Sequence, residues 1–142
     1  MEDKAWRIAQ WMNKNDQIAV NFGMKVTEAK LGGCAVEMKV TDKMLNAVGI
    51  THGAAIYALA DFAFAVASNS WGQVAVALNA HINFPASSKK GNILKAVATE
   101  EAKSRHTAIY KIEIKREDGV LVGLFTGTVF RRDDSVESWM KS

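Results

Sequence analysis

The segment that most constrains the fold of this chain is 52–69, which predicts a long helix that is apolar on almost every side. Alanine, the strongest helix former, recurs through the segment together with large apolar side chains. One carboxylate, Asp61, interrupts it, and Gly72 lies just beyond its end, as is typical of a helix stop. A helix of this kind needs burial on every side, so we expect a sheet to curl around it.

The segments on either side of this helix predict that sheet. Apolar alternation predicts six strands, at 24–29, 34–40, 74–84, 92–104, 106–116 and 120–132. Short turns between successive strands imply antiparallel pairing, with the last four strands forming a meander. Residues 1–14 carry a short amphipathic helix at 3–14, and the tail 133–142 is expected to be frayed or at the surface. The fold class is therefore α+β, one domain over 1–142 in which a curved antiparallel sheet wraps one long central helix.

Composition excludes several classes of function. The 18 Lys and Arg residues against 15 Asp and Glu residues give a net charge of +3 without a basic block, so we expect no nucleic-acid partner. The single cysteine, Cys34, cannot form an internal disulfide, which favours a reducing compartment and a cytoplasmic location. We expect no leader, because the start MEDKAWRIAQ is acidic and amphipathic. We expect no membrane partner, because charged and polar residues interrupt the apolar runs. Cys34 and the histidines lack the spacing of metal ligands, so no metal site is expected.

The loop and helix start at 46–61 read NAVGITHGAAIYALAD, in which Asn-x-x-Gly-x-x-His-Gly-x7-Asp stands out. With the order of elements around it, this motif resembles that of the hotdog-fold acyl-CoA thioesterases, and most closely the phenylacetic-acid-degradation thioesterases. The resemblance covers roughly residues 15–132. The chain departs from the family where a second glycine often follows the His-Gly pair, here Ala54, and in a later turn that usually has a glycine, here Ser104.

The resemblance implies a hotdog fold and thioester hydrolysis, and Gly53 suits that chemistry. If the helix begins near Thr51 or His52, its first backbone N–H groups have no partner within the helix and lie at the positive end of the helix dipole. Such donors stabilise the oxyanion that forms when a thioester carbonyl is attacked. Gly53 has no side chain, which lets a substrate come close, although a glycine here also fits a packing or capping role.

Asp61 is the candidate acid of the site. A buried carboxylate without a partner is costly, and the residues three and four positions away along the helix offer no cation. The alternative is an Asp that caps loop backbone or faces solvent through a gap. In the thioesterase role, Asp61 would activate water as a general base, or attack the carbonyl itself to give a mixed anhydride.

Two further motif residues are candidates for catalytic support. Asn46 could orient the water or the thioester, because an amide both donates and accepts hydrogen bonds. The alternative is a loop asparagine that only forms a turn. His52 could donate to the thioester sulfur or fix the loop, and the alternative is a histidine bonded to backbone at the helix start.

The spacing along the helix predicts a site shared between chains. Gly53 and Asp61 are eight residues apart, which is about 12 Å at the rise of an α-helix. Reacting atoms approach within about 3.5 Å, so one helix cannot easily supply both groups to one carbonyl. Two antiparallel helices from two chains can. The resemblance implies the same arrangement, in a homodimer with two identical sites that pairs into a homotetramer.

The remaining candidates concern substrate binding. Lys89, Lys90 and Arg105 are candidates for the coenzyme A phosphates, against the alternative of a solvated basic turn. Asn79 is expected on the face of its strand that runs beside the helix, where it could line the acyl pocket. Aromatic side chains on the helix are consistent with an acyl group such as phenylacetyl, and equally with an ordinary core. No cofactor is expected, since coenzyme A is part of the substrate.

Two other functions remain open. A hotdog hydratase or dehydratase acts on enoyl or hydroxyacyl thioesters and needs a histidine and an acid that converge on one substrate carbon. A ligand-sensing module binds acyl-CoA, regulates a partner and needs no chemistry at Asp61. Release of free thiol separates hydrolysis from both.

Overall fold

The computed structural model describes residues 3–141, and these form four α-helices and six strands. The helices are α1 (Lys4–Asn15), α2 (Gln17–Asn21), α3 (Gly53–Asn69) and α4 (Val136–Met140). The strands are β1 (Lys25–Lys30), β2 (Gly33–Lys39), β3 (Gln73–Asn83), β4 (Ile93–Lys103), β5 (Thr107–Arg116) and β6 (Leu121–Ser135). The predicted helices and strands are all present, and their bounds shift by at most one residue apart from the end of β6.

A single antiparallel sheet packs against α3. Its strands lie in the order β1-β2-β4-β5-β6-β3, and every neighbouring pair is antiparallel. Helix α3 contacts all six strands, so the sheet has to curve around it. Leu59, Ala63 and Phe64 of the helix meet Ile112 and Phe125 of the sheet in the buried core. The predicted wrapping of a sheet around one central helix is confirmed.

The strand order corrects the predicted meander of four strands. Only β4, β5 and β6 form a meander, whereas β3 lies at the sheet edge beside β6 and β4 pairs with β2. The connection 84–92 between β3 and β4 is too long for a tight hairpin. It carries the chain from the edge of the sheet to its centre.

The tail also differs from the prediction that it is frayed. Strand β6 continues to Ser135, and α4 follows directly. Val136 at the start of α4 is buried against Ile8 of α1 and Val74 of β3. This small apolar cluster holds the end of the chain against its beginning. Residues 1–2 and 142, which the predicted terminal segments include, lie outside the described residues.

Helix α3 is not covered on every side, contrary to expectation. A stripe along it is exposed or half-buried, and its members are Ala54, Tyr57, Ala58, Asp61 and Ala65. These residues recur at helical spacing on one face, and Asp16 and Ile18, at the start of the short helix α2, lie beside them. The uncovered stripe therefore contains the one acid of the helix.

Candidate active site

The start of α3 leaves one backbone donor free. His52 caps the helix, because its Nδ1 accepts a hydrogen bond from Ala54 N at 2.9 Å. The carbonyl of His52 also accepts bonds from Ala55 N at 3.0 Å and Ile56 N at 3.4 Å. Within residues 3–141, the N–H of Gly53 makes no hydrogen bond. This N–H lies at the positive end of the helix dipole, so it is the donor that an oxyanion would meet.

The cap also fixes the tautomer of His52. An acceptor nitrogen carries no proton, so the ring proton of this neutral imidazole is on Nε2. His52 is exposed, which leaves Nε2–H available as a donor. His52 therefore holds the helix start, and its predicted role in supporting the thioester stays a prediction.

Asn46 is held in its loop through its side-chain oxygen. Oδ1 accepts bonds from Val48 N at 3.1 Å and Ile50 N at 3.2 Å. In the described part of the chain, Nδ2 of Asn46 has no partner. The oxygen is committed to the loop, so Asn46 can meet a substrate only as a hydrogen-bond donor.

The segment after β3 is anchored to the same helix start. Ser88 Oγ donates to Thr51 Oγ1 at 2.7 Å, and Thr51 N donates to the Ser88 carbonyl at 2.9 Å. Both residues are buried. Lys89 and Lys90 follow at once and are exposed. The two lysines predicted to bind phosphate therefore lie at the end of α3 where Gly53 lies.

Asp61 lies in a groove between α2 and α3. The groove has a volume of about 240 Å³, and it is lined by Asp16, Ile18, Ala54, Tyr57, Ala58, Asp61, Phe62 and Ala65. The carboxylate is exposed in the single chain, yet the groove walls remove part of its water. This desolvation raises the pKa of Asp61 above its ordinary value, and the negative charge of Asp16 raises it further. Among residues 3–141 no cation forms a salt bridge with it, and a carboxylate of raised pKa is the stronger base.

Asn79 does not face α3, and its predicted place beside the helix is wrong. Strand β3 has an irregularity between Ala77 and Asn79 that shifts the pairing register. Ala77 lies opposite Val129, which belongs to the core, whereas Asn79 lies opposite Thr128 on the other face. The extra residue reverses the alternation of the strand. Asn79 is therefore exposed on the outer face of the sheet.

Arg105 lies at the opposite end of the sheet from Lys89 and Lys90. Strand β4 runs between these two groups and spans about 33 Å at the rise of a β-strand. Within one chain, a single phosphate group cannot contact Arg105 and the two lysines. All three side chains are exposed.

Two residues near the site were missed by reasoning from the sequence. Asp16 caps α2, accepting a bond from Ala19 N at 2.9 Å, and it lines the groove of Asp61. Phe84 follows β3, and the tip of its ring takes part of the space that was expected to be open at Gly53. The N-cap pattern of Asp16 is readable in the sequence. The approach of Asp16 to Asp61 and that of Phe84 to Gly53 each join residues far apart in the chain, and no local pattern reveals them.

The cysteine and histidines do not form a second reactive site. Cys34 is buried, its Sγ donates to the Ala63 carbonyl at 3.2 Å, and desolvation raises the pKa of its thiol to about 12. Within residues 3–141, no three His, Cys, Asp or Glu side chains come together in a way that could hold a metal ion. None of the helices in that range is long and apolar enough to cross a membrane.

The sheet curves around one helix, a free donor lies at the start of that helix, and an unpaired acid lies further along it. These are the features expected of a hotdog-type thioester hydrolase. The family model of the thioesterase superfamily matches residues 48–123. The acyl-coenzyme A thioesterase PaaI of Escherichia coli K12 is 37% identical over 131 residues, covering 92% of this chain and 94% of that protein. The chain belongs to the thioesterase superfamily and is an enzyme of that class.

Solved structures confirm the hotdog fold. The Escherichia coli PaaI protein from the phenylacetic acid degradation operon superimposes with a TM-score of 0.91 at 36% identity, covering 93% of this chain and 96% of that chain. A Streptococcus mutans protein solved with acetyl CoA bound gives a TM-score of 0.76 at 28% identity, covering 79% of this chain and 90% of its own. The fold and the family predicted from the sequence are both confirmed.

Proposed function

We propose that this thioesterase hydrolyses acyl-CoA at two identical sites, each built from two chains. The observation that carries the proposal is the free N–H of Gly53, which is left over when His52 caps the rest of the first turn. The related Escherichia coli enzyme is an acyl-coenzyme A thioesterase, and the Streptococcus mutans protein binds acetyl CoA, which supports this substrate class. The reaction needs no cofactor beyond the coenzyme A that the substrate carries.

In the proposed reaction, Gly53 of one chain and Asp61 of the partner subunit act on the same thioester. The Gly53 N–H donates to the carbonyl oxygen while Asp61, as a base, takes a proton from the water that attacks the carbon. Alternatively, Asp61 attacks the carbon itself and water then hydrolyses the mixed anhydride. In both routes the C–S bond breaks and the thiolate of coenzyme A leaves. A thiol has a pKa of about 8.5, so the leaving group needs no strong acid.

Strand β3 supports the two-chain site because it is an unprotected sheet edge. It has 11 residues, none of them Asp, Glu, Lys or Arg, and it exposes Val76 at 40% and Leu78 at 58%. The other edge, β1, has only 6 residues, exposes Lys25, Glu28 and Lys30, and packs against α1. A long edge strand without charges is a ready template for pairing with a further strand. Antiparallel pairing of two β3 strands across a two-fold axis would bury this edge.

Such a dimer also explains the separation of the predicted phosphate-binding residues. Lys89 and Lys90 lie beyond the end of β3, whereas Arg105 lies near the end of the sheet where β3 begins. Antiparallel pairing of two copies places the end of one β3 beside the start of the other. The lysines of one chain then approach Arg105 of the partner subunit, where together they can bind the phosphates of coenzyme A. The uncovered stripe of α3 would face the partner in the same arrangement.

An aromatic acyl group is the finer part of the proposal. Tyr57 is 38% exposed in the groove of Asp61 and packs edge-on against Phe125, with ring centroids 5.6 Å apart. Ile18 of α2 forms the facing wall, and alanines of α3 leave room between them. A flat ring fits a slot with these walls. The structurally similar Escherichia coli protein comes from a phenylacetic acid degradation operon, which supports the same choice.

Thiol release from a panel of thioesters tests this function. We expect wild-type protein to release coenzyme A from phenylacetyl-CoA with a higher kcat/KM than from octanoyl-CoA. Asp61→Asn removes the base or nucleophile and should lower the rate at least about 100-fold. The same change at the exposed Asp133 is the matched control and should leave the rate unchanged. Hydration of crotonyl-CoA without thiol release would identify a hydratase, and binding without any turnover would identify a sensor.

Mixed assemblies test whether each site is shared. Gly53→Val and Asp61→Asn proteins should each be inactive, because every site in either assembly lacks one group. Random reassociation of the two variants should restore about a quarter of the wild-type activity, since half of the dimers are mixed and each has one intact site. Sites contained within one chain predict no recovery. Analytical ultracentrifugation of the same samples determines whether the proposed dimers pair into a homotetramer.

A further inference from the structure

Phe84 has no role in the chemistry described so far, yet its ring lies against Gly53. A Cβ atom built on Gly53 would find Phe84 Cζ at 3.3 Å, Cε1 at 3.6 Å and Cε2 at 3.7 Å as its nearest heavy atoms beyond the helix. These three atoms form the tip of the ring. The tip therefore rests on the residue whose backbone N–H is free.

The local sequence explains how the ring is held there. Ile82, two residues earlier, lies opposite Phe125 and packs against the core. Alternation along an extended chain directs Phe84 to the same side, toward α3. Pro85 follows, and a residue before proline is restricted to extended backbone. The direction of the ring is thus set by strand β3 and a proline.

The rest of the Phe84 side chain is open. Its exposed fraction is 48%, although phenylalanine is usually buried. The tip of the ring is its part nearest to Gly53, and the exposed part of the side chain is open to a ligand there. A ring in this place can displace water from one side of that donor without occupying the donor itself.

We propose that Phe84 is a positioning residue of the thioesterase site, whose ring forms an apolar wall beside the Gly53 N–H and holds the thioester carbonyl against it. This inference rests on the proposed function. A hydrogen bond to a developing oxyanion is stronger where water is excluded, because the local dielectric is lower. Gly53 then has a second purpose. A methyl group at this position would press on the ring at 3.3 Å, which is closer than most side-chain contacts.

The test compares Phe84→Ala with Leu31→Ala, a change at a side chain that is also 48% exposed but lies in the turn between β1 and β2. In the thiol-release assay, Phe84→Ala should lower kcat about tenfold or more and change KM less than about twofold, because the wall acts on the transition state. Phe84→Leu keeps an apolar wall and should recover most of kcat. Leu31→Ala should match wild type. Wild-type kcat in Phe84→Ala, or a change confined to KM, would overturn the inference.

A second pair of variants decides the matter if Phe84→Ala does not fold. Gly53→Ala should lower kcat, because the added methyl group displaces the ring. The double variant Gly53→Ala, Phe84→Leu relieves that contact and should recover kcat severalfold. No recovery would contradict the inference. If Asp61→Asn abolishes turnover while Phe84→Ala keeps the wild-type kcat, the proposed function stands and the inference fails. If wild type releases no thiol, both fail.

Discussion

Two carboxylates face one groove: Asp16, which caps the start of α2, and Asp61, which lies on α3. Asp16 is half-buried and is held in place because its Oδ1 accepts a bond from Ala19 N at the start of α2. Among the residues that line the groove, Tyr57 is the other titratable group. At the scale of single residues, the basicity of Asp61 therefore depends on a neighbour 45 positions away in the chain.

This neighbour leads to a prediction about pH. The pKa of Asp61 is raised above its ordinary value of 3.8, first by desolvation and then by Asp16. Protonated Asp61 cannot act as base or nucleophile, so kcat/KM should fall as pH drops through this raised pKa. Asp16→Asn keeps an N-cap and removes the charge. In this variant the pKa of Asp61 should be lower than in wild type. The acidic limb of the pH–rate profile should therefore move to lower pH.

Asp133→Asn is the control for this profile, because Asp133 is exposed and lies on β6 outside the groove. Its acidic limb should coincide with that of wild type. An unmoved limb in Asp16→Asn would show that the charge of Asp16 does not reach Asp61.

The candidate site was predictable from the sequence only where its residues share one local pattern. Gly53, Asp61, Asn46 and His52 lie in one motif, and the structure keeps them at the predicted loop and helix. Phe84 approaches Gly53 from 31 positions away. No periodicity within a single element encodes such a contact, because it depends on how the sheet folds over the helix.

At the scale of elements, the start of α3 depends on an unusual cap. His52 Nδ1 supplies the acceptor that Ser, Thr, Asp or Asn supplies at most helix starts. His52→Ala should therefore lower the free energy of unfolding by about 1 kcal/mol. His52→Ser should restore most of that stability, because a hydroxyl oxygen can accept the bond from Ala54 N. Urea unfolding of the three proteins measures both differences.

The two substitutions at His52 also separate its roles. His52→Ser keeps a cap but has no Nε2–H, so a loss of turnover without a loss of stability would locate the function of His52 in that donor. Equal destabilisation by Ala and Ser would contradict the capping role.

The elements and the wrapping of the sheet around one helix were predictable, but the order of the strands and the register within β3 were not. Alternation and apolar runs determine where strands begin and end, and these patterns are local. The irregularity at Ala77–Asn79 adds one residue without breaking the apolar character of β3, so the predicted face of Asn79 was wrong. The passage of β3 to the sheet edge likewise depends on the 84–92 connection and on contacts with β6. Neither feature leaves a periodic signal.

At the scale of the whole molecule, the edge of β3 should determine assembly. Leu78→Lys places a charge on the exposed edge, and charges at an edge oppose strand pairing. We expect this variant to sediment as a single chain and to lose thioesterase activity, because a shared site needs two chains.

Ile93→Lys is the matched control for assembly. Ile93 is 43% exposed, but it lies on β4, which has a neighbouring strand on each side. This variant should still form dimers and still release thiol. An active, monomeric Leu78→Lys protein would contradict the shared site.

The burial of Cys34 has a practical consequence for these experiments. The only sulfhydryl of the chain is shielded by the core, and the raised pKa of that thiol keeps it protonated at neutral pH. Maleimide reagents therefore find almost no native target in the folded protein. A cysteine introduced at an exposed position would be labelled alone, so fluorophores or spin labels could report subunit exchange without first removing the natural residue.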